Sequence, residues 1–156
     1  MALRIGVIGV GSLGFHHARI ARDLPGTTFA GVHDSRPERL AEVAAELGVA
    51  AHATMESLLE VVDAVVIAVP TVAHERVARA AVERGVHVLI EKPIAPTLDA
   101  ADAILEVAAA SGALVQIGHV ERFNGALRAA EPYLDELLFV ESHRLAPFGP
   151  RGTDVA

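Results

Sequence analysis

The sequence predicts an α/β protein built on a doubly wound parallel sheet, and three observations predict it. Apolar runs of strand length alternate with helical stripes from the first residues onward. Those runs are continuously apolar, as strands covered by helices on both faces must be. Glycine and proline mark the junctions, so the connections are short, as a wound series of βαβ units requires.

Taken in order, Leu3 to Ile8 is the first strand, and a glycine turn leads from it into a helix over Ser12 to Leu24, closed by Pro25-Gly26. Thr28 to His33 reads as the second strand. Ser35-Arg36-Pro37-Glu38 fits a capping box, with Ser35 at the N-cap and Glu38 three residues on. The helix it opens carries Leu40, Val43, Ala44 and Leu47 on one stripe and stops at Gly48. A short strand near Val49 to His52 and a helix over Met55 to Val61 follow.

Ala64 to Val69 is a strand bounded by Pro70, and a helix from Val72 to Arg84 ends at Gly85. Val86 to Ile90 is the next strand. Thr97 can cap a helix that buries Ile104, Val107 and Ala108 before Gly112, and Leu114 to Gly118 is the last strand of the sheet. Residues 1–123 are therefore expected to form one domain with six parallel strands. Residues 124–156 are expected to supply a linker helix near Ala126 to Leu134 and one long strand, Leu137 to Leu145, the start of an incomplete α+β substrate domain.

Composition narrows the function classes. The chain has 156 residues and is 52% apolar, enough for a full core and far from a disordered composition. Its net charge is −7, with 20 acidic residues against 13 basic ones, so it has no basic stripe for nucleic acid. It contains no apolar run long enough for a membrane span, and the opening MALRIGVIGVGSLG reads as a strand entering a glycine turn rather than a leader, so a cytoplasmic protein is expected. With no cysteine, disulfides, thiol nucleophiles and thiolate metal sites are excluded. Eight histidines are scattered, and the adjacent His16 and His17 point about 100° apart on a helix, so no metal site is expected and these rings are read as solvated or packed. The only lysine is Lys92, the one basic side chain that can lose its proton when desolvated.

The chemistry begins at Gly9-Val10-Gly11-Ser12-Leu13-Gly14, a G-x-G-x-x-G between first strand and first helix. Gly9 permits the tight turn, Gly11 lets the backbone approach a pyrophosphate, and Gly14 lets helix and strand pack closely. The helix N-terminus, with Ser12 and Leu13 in its first turn, then offers N–H groups to phosphates. Asp34, 20 residues after Gly14 and followed by Ser35, sits where a carboxylate accepts the adenine ribose hydroxyls and repels a 2′-phosphate. NAD is therefore favoured over NADP, although Arg36 could hold a 2′-phosphate. Without a ligand, the same residues could be a turn glycine cluster and a capping aspartate.

Two more strand ends point to the same edge: Val69-Pro70-Thr71, with His74 behind it, and Glu91-Lys92-Pro93. Ligands of open α/β sheets sit outside the carboxyl ends of the strands. A solvated charge pair is the bland alternative for Glu91-Lys92.

With these residues in view, the chain resembles the glucose–fructose oxidoreductase/inositol dehydrogenase (Gfo/Idh/MocA) family of NAD(P)-dependent dehydrogenases, over about residues 3 to 145. The matching residues are Gly9 to Gly14, Asp34, Ala68-Val69-Pro70 with His74, and above all Glu91-Lys92-Pro93. Ile117 to Asn124 resembles the branch acting on nucleotide-linked amino sugars, the UDP-N-acetylglucosamine 3-dehydrogenases. The resemblance implies a Rossmann fold and hydride transfer between a nicotinamide cofactor and a sugar or nucleotide-sugar hydroxyl. It implies that Glu91 holds the nicotinamide ribose, that Lys92 is the catalytic residue beside the reacting carbon, and that Arg122 faces the substrate. The family's His and Asp pair of the second domain has no counterpart here, since the only His-Asp step is His33-Asp34, so this chain alone is expected to bind NAD with little turnover. A homo-oligomer is expected for the full-length protein. Two other readings stay open, a stand-alone dinucleotide sensor and a methyltransferase using S-adenosylmethionine.

Overall fold

A computed structural model describes residues 2–135, 138–141, 143 and 145. The apolar runs become five strands, β1 (Leu3–Ile8), β2 (Thr27–His33), β3 (Ala64–Ile67), β4 (His87–Ile90) and β5 (Val115–Ile117). All pair in parallel, in the order β2-β1-β3-β4-β5, so the chain winds outward from β1 in both directions. The helices between them are α1 (Ser12–Arg22), α2 (Pro37–Leu47), α3 (Met55–Leu59), α4 (His74–Val82) and α5 (Leu98–Ser111).

Period-two alternation within the strands divides the core into two layers. Val7, Val32 and Val66 meet Ala18 of α1 and Leu40, Val43, Ala44 and Leu47 of α2. Ile8, Val65, Ile67, Val88 and Ile90 face the other way, onto Leu58 and Leu59 of α3, Val77, Ala78, Ala81 and Val82 of α4, and Ala101, Ile104 and Ala108 of α5. Burying each Ile or Leu of this set contributes about 2 kcal/mol. Gly6 allows α3 to lie against β1, because a Cβ there would meet the Leu58 side chain at 2.8 Å.

Several helix stops and starts follow the sequence. Thr97 caps α5 by accepting the Ala100 N–H at 3.2 Å, and Gly48 and Gly112 end α2 and α5 in the left-handed region. Other expectations are corrected. The segment Val49 to His52 is no strand; it makes one bridge, Val32 to Ala51. Side chains take the carbonyls that would extend a ladder there: His33 Nδ1 bonds the His52 carbonyl at 2.9 Å, and His52 Nε2 bonds that of Ala30 at 3.1 Å. The sheet therefore has five strands rather than six.

The capping box does not form either. Arg36, not Ser35, is the N-cap of α2, and no side chain caps that helix. Pro37 at the helix start has no N–H to be capped, and the Asp34 carboxylate takes the Arg36 N–H at 2.9 Å instead. Before α4, Thr71–Ala73 forms a 3₁₀ turn, so that helix starts at His74 rather than Val72.

A second unit begins at His119. It holds a 3₁₀ turn, Val120–Phe123, then α6 (Gly125–Ala130) and another 3₁₀ turn, Glu131–Tyr133. Asn124 caps α6, its Oδ1 accepting the Ala126 N–H at 2.9 Å while its Nδ2 donates to Glu121 at 2.8 Å. None of the described residues of 137–145 (Leu138, Phe139, Val140, Glu141, His143, Leu145) is in a strand, since a strand exists only through pairing and none of these pairs. Leu137, Ser142 and Arg144 lie outside the described residues.

Candidate functional site

Strand register gathers the candidate residues at one edge. Ile8 is level with His33 and Ile67, Ile67 with Ile90, and Ile90 with Ile117. The next residue of each strand therefore falls in one row: Asp34, Gly9, Ala68, Glu91 and Gly118. Backbone bonds extend the ladder to this row, from Gly9 to His33, Ala68 to Ile8, Glu91 to Ile67 and Gly118 to Ile90, all at 2.8–3.0 Å. This is the carboxyl edge of the sheet, where α1 begins.

Each glycine of the turn meets a different demand. Gly9 has φ +84°, and a Cβ there would meet the Ala68 backbone at 2.8 Å. At Gly14 a Cβ would overlap the Gly9 carbonyl. At Gly11 a Cβ would meet only Arg36 Nη2, at 3.8 Å, so this position is open where the other two are closed. The first turn of α1 has no side-chain cap and no acidic residue, which leaves its positive end for an external anion. Ser12 and Leu13 lie in that turn, Leu13 half exposed.

Val10, in the middle of the turn, is held at both ends. Its N–H donates to Asp34 Oδ2 at 2.9 Å, and its carbonyl accepts from Arg39 Nε at 2.8 Å. The Arg39 guanidinium also lies 5.8 Å from the Phe15 ring centroid, a cation–π distance. Sequence reading missed Arg39 because nothing in its spacing from Val10 marks the pair.

Asp34 is 7% exposed and takes four donors. Oδ1 accepts the Arg36 N–H (2.9 Å) and Nε (3.1 Å); Oδ2 accepts the Val10 N–H (2.9 Å) and Arg36 Nη2 (3.3 Å). Burial pushes this carboxyl up, but the Arg36 side chain and the two backbone N–H groups outweigh it and hold it below the usual carboxylate range. Asp34 and Arg36 thus form one charge-paired unit beside the glycine turn. Ser35 lies between them in the chain.

The other half of the row lies at the ends of β3 and β4. His74, 1% exposed, places Nε2 3.0 Å from the Val69 carbonyl and Nδ1 2.9 Å from that of Pro93, tying the segment with Val69, Pro70 and buried Thr71 to the one with Glu91, Lys92 and Pro93. The Glu91 carboxylate, also buried, accepts His17 Nε2 at 2.8 Å on Oε1 and the Lys92 N–H at 3.2 Å on Oε2. A Cβ on Gly118 would lie 3.1–3.3 Å from that carboxylate. Lys92 itself is exposed.

The geometry brings together Gly9, Gly11, Ser12, Leu13, Gly14, Asp34, Ser35, Val69, Pro70, Thr71, His74, Glu91 and Lys92. Arg122 lies in the second unit, in the 3₁₀ turn Val120–Phe123. His17, read from sequence as solvated or packed, pairs with a carboxylate 74 residues away. Among the described residues no cluster of three His, Asp or Glu could hold a metal, and no helix is long and apolar enough to cross a membrane. The row offers an anion-accepting helix end flanked by one carboxylate on each side, with an ammonium beyond the second.

The model of an oxidoreductase family with an NAD-binding Rossmann fold (Gfo/Idh/MocA) matches residues 3–119. The UDP-N-acetylglucosamine 3-dehydrogenase of Acidithiobacillus ferrooxidans is 42% identical over 158 aligned positions, covering 98% of this chain and 49% of that protein. Its solved structure superposes with a TM-score of 0.79, over 85% of this chain and 44% of that one. The scyllo-inositol 2-dehydrogenase (NAD(+)) of Bacillus subtilis is 32% identical, covering 85% of this chain and 40% of its own length. The chain spans about half or less of the length of these relatives.

Proposed function

Because the chain belongs to the Gfo/Idh/MocA oxidoreductase family, with its NAD-binding Rossmann fold, we propose that it is the cofactor-binding part of a dehydrogenase acting on a sugar or nucleotide-sugar hydroxyl. The observation that carries this reading is the single row at the carboxyl edge, with Gly9, Asp34 and Glu91 level and the uncapped end of α1 beside them. A dinucleotide fits these residues: the open face of Gly11 admits a pyrophosphate to the helix end, and the two carboxylates stand on either side for its two riboses.

In this reading residues 1–123 form the dinucleotide domain and residues 124–156 begin the substrate domain. Gly9 to Gly14 take the pyrophosphate, Asp34 and Ser35 the adenine ribose, and Val69, Pro70, Thr71 and His74 the middle of the cofactor. Glu91 holds the nicotinamide ribose. The nicotinamide, when bound, accepts or returns a hydride. Lys92, exposed at the strand end, hydrogen-bonds the reacting hydroxyl and then the carbonyl oxygen that forms, while the hydroxyl proton passes to a base of the substrate domain. Arg122 takes an anionic or polar part of the substrate.

In this reading NAD is the preferred cofactor: Asp34 is a buried carboxylate held below the usual range, and with the Arg36 side chain displaced it would accept a ribose diol and repel a 2′-phosphate. The similarity to the Acidithiobacillus enzyme supports a nucleotide-linked amino sugar as the substrate class. A cytoplasmic homo-oligomer without nucleic-acid or membrane partners is the matching setting for the whole protein. Titration of NADH with the chain tests the cofactor reading: a saturable rise in NADH fluorescence, reversed by NAD, is the expected result. A signal that rises linearly and ignores NAD contradicts it.

A further inference from the structure

Asp34 and Glu91 stand level in the sheet, but their carboxylates are used differently. A carboxylate can accept about four hydrogen bonds. Asp34 already takes four protein donors. Glu91, equally buried, takes two, from His17 Nε2 and the Lys92 N–H. Half of its accepting capacity is left over in a place where leaving it unused is costly, and the position of the carboxylate depends on a donor from a different element.

That donor is on α1. Gly14, Ala18 and Ala21 bury the helix against the sheet, and their small size brings it close. His17 lies between them in sequence, and its ring reaches the end of β4, two strands from β1 in the sheet order. Because a carboxylate only accepts, Nε2 is the donor. Gly118, with no Cβ, makes room for the carboxylate, since a Cβ there would crowd it at 3.1–3.3 Å.

We propose that His17 is the positioning residue for Glu91. Through the Nε2–H···Oε1 bond, the helix whose amino end receives the phosphates also fixes the carboxylate that receives the second ribose. The two halves of the cofactor site are thereby set at a constant distance before any ligand arrives. The proposal rests on the reading of Glu91 as the nicotinamide-ribose ligand.

The test compares NAD with ADP on the 156-residue chain by calorimetry, since ADP carries the phosphates and the adenine ribose but not the second ribose. His17→Leu removes the donor. The expected result is about a tenfold rise in the NAD dissociation constant with less than about a twofold change for ADP, the loss of one bond to a charged group. His17→Gln, whose amide nitrogen can stand where Nε2 stood, restores NAD binding. In a Glu91→Ala background His17→Leu adds less than about twofold, the non-additivity of residues that act through one another. Gly118→Ala, which crowds the carboxylate with His17 intact, gives the same NAD-selective loss. Equal losses for NAD and ADP, or additive losses in the double variant, overturn the proposal in favour of a helix-packing role. If the wild-type chain binds neither ligand, the dinucleotide reading fails and takes the proposal with it. If it binds both and Glu91→Ala leaves NAD unchanged, the ribose reading of Glu91 fails alone, and the proposal again is overturned.

Discussion

The carboxylate of Asp34 accepts the amide hydrogen of Val10 at 2.9 Å, so the end of β2 holds the middle of the glycine turn in place. Asp34 therefore has a structural duty before it has a ligand. Asp34→Ala leaves the Val10 N–H and the Arg36 guanidinium without their acceptor, and is expected to lower stability by about 1–3 kcal/mol. Asp34→Asn keeps one acceptor oxygen and is expected to cost less. Urea unfolding of the two variants measures the difference, and equal midpoints count against this role.

Arg36 occupies three of the four bonds to Asp34, so a ribose diol can reach the carboxylate only by displacing its side chain. That side chain is mostly exposed and well placed to meet a 2′-phosphate instead. Arg36→Ala is expected to weaken NADP by about tenfold, the worth of one charge-assisted contact, and to change NAD by less than about threefold. Competition of each cofactor against bound NADH reads both numbers. Parallel losses for the two cofactors would show that Arg36 does not discriminate.

The three glycines separate fold from ligand. Gly9→Ala and Gly14→Ala place a Cβ against backbone that cannot move away, and a loss of about 2 kcal/mol or more is expected for each. Gly11→Ala meets nothing closer than the end of the flexible Arg36 side chain, so stability is expected to stay within about 0.5 kcal/mol. Its Cβ nevertheless stands where the pyrophosphate would lie, and NAD binding is expected to fall by about tenfold or more. Melting curves beside NAD titrations check the split. A Gly11→Ala chain that binds like the wild type argues against the cradle.

These contrasts show how much of the molecule is legible in its sequence. The alternation of Leu3–Ile8, Ala64–Ile67 and His87–Ile90 with helical stripes gave the sheet, because strands buried on both faces leave unbroken apolar runs. Gly9 to Gly14 and Asp34 were visible because the turn they build is local. The pairs His17–Glu91 and Arg39–Val10 were not, since partners 74 and 29 residues apart meet only after the sheet has formed. Ser35 misled because its spacing to Glu38 satisfies a capping rule, whereas Pro37 and the nearby Asp34 carboxylate settle the helix start in another way. The expected third strand failed similarly, two histidine side chains taking the carbonyls a ladder needs.

Away from the site, Arg4 and Asp63 join the start of β1 to the turn before β3. Three Arg4 donors reach the carboxylate, and the Asp63 N–H returns a bond to the Arg4 carbonyl at 2.9 Å. The Arg4 side-chain bond, aided by its backbone N–H, lowers the Asp63 carboxyl to about 2. A carboxyl depressed in the folded state stabilises above its unfolded value and loses that contribution as pH falls toward the folded one. Stability is therefore expected to drop between about pH 4 and pH 2. Asp63→Asn flattens that limb of a Tm–pH curve while lowering its neutral plateau; an unchanged acid limb would remove Asp63 as its source.

Calorimetric titration of NAD into the wild-type chain, with Gly11→Ala as the paired control, is the decisive measurement of the dinucleotide site. The prediction is a saturable heat at one site per chain, with a dissociation constant below about 1 mM, weakened in the control while its melting temperature holds. No saturable heat from NAD or NADH at millimolar concentration would contradict it.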